Sequence, residues 1–183
     1  MTSKRYIALL RGVNVGRAKR VAMADLRKLI GDLGYTEVRS VLNSGNVVFS
    51  GPAKPQEAVA AEIEEALVLK LGVAARTLVL DSEELAAIVA ANPLLEVASD
   101  DARLLIFILG HHHAHAAIEA LCRRDWHPGA VALGERAIYV WCPDGILDSA
   151  AAATLGKELG DATTSRNWAT LGKLHALCNE AAA

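Results

Sequence analysis

An α+β fold in two halves is what this sequence of 183 residues predicts. Three observations carry the prediction. Apolar runs of strand length alternate with segments of helical period, the order of elements repeats along the chain, and Asn92-Pro93 followed by Ser99-Asp100-Asp101 marks a break near the middle. Tyr6 to Leu10 reads as a buried strand that runs into Arg11-Gly12-Val13-Asn14-Val15-Gly16, where two glycines and an asparagine permit left-handed backbone. Leu26, Leu29, Ile30 and Leu33 then form one helical stripe, stopped by Gly34. Val38 to Leu42 and Asn46 to Ser50 pair as a hairpin across Asn43-Ser44-Gly45. Pro55 opens a second helix, whose stripe of Val59, Ile63, Ala66, Leu67 and Leu71 ends before Gly72. Arg76 to Leu80 is a further strand. Asp81 with Glu84 three residues on is a capping box for a short helix carrying Leu85, Ile88 and Val89.

The order then recurs. Arg103 to Leu109 is a strongly apolar strand, residues 113–124 a helix, and Ala130 to Leu133 with Ala137 to Cys142 a hairpin across Gly134-Glu135-Arg136. Pro143-Asp144-Gly145 turns the chain into an alanine-rich helix that runs to Leu159. A short link at Asp161 to Ser165 leads to a last helix carrying Trp168, Leu171, Leu174 and Cys178, so a fourth strand is the element the second half does not declare. Each βαββαβ unit with its added helix is the ferredoxin-like pattern, in which helices cover one sheet face. The expected organisation is therefore two tandem ferredoxin-like halves packed together: residues 1–93, a linker at 94–102, and residues 103–183.

Composition narrows the class. With 52% hydrophobic and 22% charged residues the chain is neither disordered nor fibrous. Cys122, Cys142 and Cys178 are an odd number without a C-x-x-C pair, which speaks against a disulfide framework or a cysteine zinc site and for a reducing, cytoplasmic setting. The basic start MTSKRYIALLRG has an apolar part of only Tyr6 to Leu10, and no stretch approaches the roughly 20 apolar residues of a membrane span, so neither export nor a membrane partner is expected. Charge is unevenly spread. Residues 1–28 carry eight basic side chains against Asp25, a net +7, which leaves −9 for the rest of a chain whose total is −2. Such a basic first element attracts anions or is simply solvated.

Four motifs, Tyr6-Ile-Ala-Leu-Leu-Arg-Gly-Val-Asn-Val-Gly16, Met23-Ala-Asp-Leu-Arg27, Ser44-Gly-Asn-Val-Val-Phe49 and Thr164-Ser-Arg-Asn-Trp168, occur in that order. In them the chain resembles the bacterial domain-of-unknown-function family 1697. The resemblance implies a tandem ferredoxin-like α+β fold and no established activity. One departure is visible: Arg17-Ala18-Lys19 stands where members of the family commonly have a second glycine and asparagines.

Three of these motifs are candidate ligand sites. In the Arg11 to Gly16 loop, Gly12 and Gly16 let backbone N–H groups approach an oxygen-rich ligand, Arg11 grips phosphate or carboxylate, Asn14 orients it and Lys19 adds charge. It is not a P-loop or a dinucleotide fingerprint, so no cofactor is expected. Ser44, Gly45 and Asn46 are the second candidate, Arg166, Asn167 and Trp168 at the entrance to the last helix the third. Each has a plain reading beside it: turn glycines, a hairpin turn, an N-cap with a core tryptophan. Taken together they suggest an anionic small molecule or a nucleic acid held in a cleft between the halves. The rival from another class is a protein-interaction or structural module. A third reading is a metal-dependent hydrolase on the stripe His111, His115 and Glu119, which requires a helix beginning near His111 and lacks the H-E-x-x-H pattern. No G-x-S-x-G elbow or cysteine–histidine pattern supports nucleophilic catalysis.

Overall fold

The computed structural model describes residues 3–110 and 115–180. Strand β1, Ser3–Leu10, organises the first of two compact units, which comprises Met1–Ala86 and Lys173–Ala183. Its apolar run is the most buried stretch of the strand because it is central: β3 (Asn46–Pro52) pairs on one side with Tyr6 opposite Phe49, and β4 (Thr77–Asp81) on the other with Ala8 opposite Val79. β2 (Thr36–Val41) adds to β3, giving an antiparallel sheet in the order β2-β3-β1-β4. The period of 2 sorts the side chains. Tyr6, Ala8, Leu10, Val47, Phe49 and Val79 join one core with Leu26, Leu29 and Ile30 of α1 (Met23–Asp32) and Val59, Ile63 and Ala66 of α2 (Gln56–Ala66).

That core carries an aromatic cluster with ring centroids 4.9 Å apart for Tyr35–Phe49 and 5.8 Å for Tyr6–Phe49. The Tyr6 hydroxyl is satisfied there, donating to the Pro52 carbonyl at 3.0 Å and accepting from the Lys54 N–H at 2.8 Å. A Cβ at Gly51 would stand 2.4 Å from the Tyr35 ring, so only glycine admits the aromatic against β3. The second predicted helix changes character at its end: Leu67–Leu71 is a π-helical turn, closed by Gly72 in left-handed backbone. The capping box is present as read, Glu84 N–H to the Asp81 carboxylate at 3.0 Å and Asp81 N–H to the Glu84 carboxylate at 3.1 Å, opening α3 (Ser82–Ala90).

The second unit, Ala87–Gly172, has its own antiparallel sheet in the order β6-β7-β5-β8. β5 (Leu104–Leu109) is buried throughout and central, between β7 (Ala137–Trp141) and β8 (Thr163–Asn167), with β6 (Ala130–Leu133) outside β7. Leu105, Phe107, Leu109, Ile138 and Val140 pack with Ile118 and Leu121 of α4 (Ala116–Cys122) and with Ala151, Ala152 and Leu155 of α5 (Ala150–Leu159). Strand β8 corrects the sequence reading, which has a link at Asp161 to Ser165. Its Thr-Thr-Ser-Arg-Asn sequence has no apolar alternation, and it is a strand because β5 pairs with it from Leu105↔Asn167 to Leu109↔Thr163. The last helix, α6 (Trp168–Asn179), follows directly. Six α-helices and two four-stranded antiparallel sheets thus make up the α+β fold of the described residues.

Candidate functional site

Where β1 ends, its backbone is fixed on both flanks: Leu10 N–H donates to the Gly45 carbonyl at 2.9 Å and Arg11 N–H to the Arg76 carbonyl at 2.8 Å. The chain then needs eleven residues, 12 to 22, to reach α1, and it takes left-handed backbone at Gly12, Asn14, Gly16 and Lys19. Val13 and Val21, 1% and 5% exposed, are the two apolar feet of this loop in the core. Asn14 closes it. Its N–H donates to the Lys19 carbonyl at 3.0 Å, its side-chain amide donates to the Val21 carbonyl at 2.8 Å and the Asn43 carbonyl at 2.6 Å, and its Oδ1 accepts from Val21 N–H at 2.9 Å. One asparagine therefore ties the loop across its own neck and to the neighbouring hairpin.

Val15 to Arg20 are all exposed beyond that neck. Arg17, Lys19 and Arg20 project there with no carboxylate partner among the described residues, whereas Lys28 pairs with Asp32 at 2.8 Å and Arg76 with Glu64 at 3.5 Å. Arg11 is half-buried at the base of the loop. Because Asp25 is the one acidic residue between Arg11 and Lys28, the loop has little carboxylate charge of its own to compete with an incoming anion.

The hairpin residues are placed against the same loop and are largely spent on structure. Gly45 has φ +82°, and a Cβ on it would lie 2.7 Å from Leu10 Cβ and 2.8 Å from Val13 Cγ2. Asn46 is fully buried, its amide donating to the Val41 carbonyl at 3.0 Å and to Ser44 Oγ at 2.8 Å. Leu42 takes a left-handed φ of +57° and is 53% exposed.

Arg166 and Asn167 lie in the second unit, on β8, and Trp168 begins α6. Arg166 donates to Thr164 Oγ1 and to the Ser165 carbonyl, each at 2.8 Å. Burial pushes its guanidinium down to about 10, still well above neutral pH, so it remains a cation. Asn167 is the side-chain cap of α6, accepting from Thr170 N–H at 2.9 Å and from the Thr170 hydroxyl at 2.8 Å. Of the histidine stripe, His111 lies outside the described residues. His115 is extended, at the residue preceding α4, which begins at Ala116, and no cluster of three metal-ligating side chains occurs among the described residues. The sequence motifs do not single out Arg17 and Arg20, which the structure exposes beside Lys19, although the +7 of the first 28 residues contains the signal.

A chain with this loop and this pair of sheets belongs to the family described as protein of unknown function (DUF1697), whose model matches residues 3–139. The matched stretch includes the loop and hairpin and ends before Thr164 to Trp168. Among solved structures, the conserved bacterial protein SP0830 from Streptococcus pneumoniae is similar in fold, with a TM-score of 0.79 at 23% sequence identity over 97% of this chain and 100% of that one. None of the curated proteins matches the chain.

Proposed function

We propose that this chain binds a phosphate-bearing or otherwise polyanionic ligand through the loop between β1 and α1. The observation that carries the reading is the tied neck: Asn14 holds residues 14 to 21 in a fixed loop that presents Arg17, Lys19 and Arg20 to solvent without carboxylate partners among the described residues. Preorganised cations lose little conformational freedom on binding, which is where much of the affinity of such a site comes from. Arg11 stands at the base, and Gly12 and Gly16 are exposed in left-handed backbone, a conformation in which successive N–H groups can face an anion. Asn14, Gly45 and Asn46 hold the loop rather than the ligand. The strand orders β2-β3-β1-β4 and β6-β7-β5-β8 support our reading of each unit as ferredoxin-like, and three cysteines free of disulfides support a cytoplasmic setting.

Calorimetric titration with inorganic tripolyphosphate tests the proposal. The triple variant Arg17→Ala/Lys19→Ala/Arg20→Ala is expected to bind at least tenfold more weakly than wild type, since each lost charged hydrogen bond removes about 1.5–3 kcal/mol. Equal affinity of the two proteins contradicts it. A structural or protein-interaction role is favoured by the same hydrogen bonds of Asn14, Asn46 and Asn167 if neither protein binds.

A further inference from the structure

From the same loop, and resting on the anion-binding reading, we infer that the anion is the headgroup layer of a negatively charged lipid surface, which the loop and the adjacent hairpin turn contact together. One exposed apolar side chain lies in the cationic loop and another in the hairpin turn bonded to it. Val15 is 70% exposed between Asn14 and Gly16, and Leu42 is 53% exposed beside Asn43, whose carbonyl accepts the Asn14 amide. The two tips are thus joined through one hydrogen bond. Leu42 is costly twice over: it exposes an aliphatic side chain, and it holds a left-handed φ of +57° that glycine or asparagine adopts more easily. What sets Leu42 apart from other exposed aliphatic side chains is that its backbone is held in this left-handed conformation at a turn beside a cationic loop, and such local strain is commonly kept for function.

The partner's chemistry follows from what surrounds these side chains. Six consecutive exposed residues, Val15 to Arg20, make a projecting tip. Single-stranded nucleic acid is read by stacking on aromatics, and the tip has none: Tyr6, Tyr35 and Phe49 are core residues, 0–4% exposed. Aliphatic tips flanked by arginine and lysine instead suit the boundary between acyl chains and acidic headgroups. A contact of this kind needs no spanning helix; none of the helices among the described residues is long and apolar enough to cross a membrane.

Co-sedimentation with phosphatidylcholine vesicles, with and without phosphatidylserine, run beside the tripolyphosphate titration, tests the inference. Wild type is expected on the phosphatidylserine vesicles only. Arg17→Ala/Lys19→Ala/Arg20→Ala should lower that partition about a hundredfold, at roughly fivefold per cation. Val15→Ser/Leu42→Asn should lower it about tenfold through lost apolar contact while leaving tripolyphosphate affinity unchanged. The exposed positions make this variant safe to fold, and urea unfolding should find it no less stable. Tripolyphosphate binding without vesicle binding overturns the lipid inference and leaves the anion reading intact. Vesicle binding by Val15→Ser/Leu42→Asn at wild-type strength, or tighter binding of a single-stranded oligouridylate than of phosphatidylserine vesicles, overturns it as well. Binding of neither tripolyphosphate nor vesicles removes both readings.

Discussion

Replacing Asn14 tests the logic of the loop most sharply, because one side chain makes three hydrogen bonds from a left-handed backbone position with φ +56°. Asn14→Gly keeps the backbone at ease and deletes the bonds. At a net value of about 0.5–1.5 kcal/mol each, and with the bond to Asn43 exposed to competing water, the loss is about 1.5–3 kcal/mol. Asn14→Ala deletes the same bonds and adds the left-handed penalty of about 1–2 kcal/mol, so it should be the worse of the two. For a chain of this size each kcal/mol corresponds to about 2–4 °C in Tm. Urea unfolding of the three proteins at 25 °C measures the order directly, and tripolyphosphate affinity should fall in the same order as the neck opens. If alanine proves as stable as glycine, or if either equals wild type, the account of Asn14 as the tie of this loop is wrong.

Gly45→Ala should cost about 2–4 kcal/mol, since its Cβ has to displace Leu10 and Val13 at 2.7 and 2.8 Å in a left-handed turn; a thermal midpoint within a degree or so of wild type would refute the close packing. For Asp81, burial raises the carboxyl pKa, but the Glu84 N–H and Lys4 outweigh it and hold the pKa below 3.8. A depressed folded value means stability that is present above the unfolded pKa and lost as pH falls through the folded one. Urea midpoints taken downward from pH 6 should therefore decline less in Asp81→Asn than in wild type, and parallel curves would contradict the shift. Arg5 donates to Glu37 at 3.0 Å and to the Leu177 carbonyl at 3.1 Å, with only 14% of its side chain exposed. Arg5→Ala should cost about 2–4 kcal/mol and speed amide exchange around Leu177 in α6, and unchanged exchange there would count against the contact.

Most of the first unit was legible because its pattern is local. The unbroken apolar run of β1, the stripe of Leu26, Leu29 and Ile30, and the Asp81–Glu84 box each express one element within a dozen residues. β8 was not legible because its conformation is imposed from outside: Thr163 to Asn167 lack alternation and gain strand geometry from pairing with β5. The irregularity of β2, where Glu37 sits at φ +50° between Thr36 and Arg39, depends likewise on Arg5 and Ser50 far along the chain. In the candidate site, glycines and charge were visible in the sequence. The double use of Asn14 and the burial of Asn46 were not, since both are defined by carbonyls of Val41, Asn43 and Val21 that only the folded hairpin and loop bring within reach.

The central claim is that an anion is held by the loop between β1 and α1. Backbone amide NMR spectra recorded while inorganic tripolyphosphate is added address it residue by residue. Saturable shifts are expected, concentrated at residues 11–21, with small ones at 42–45 through the Asn14–Asn43 bond. Shifts centred elsewhere, or none at saturating tripolyphosphate, would contradict it.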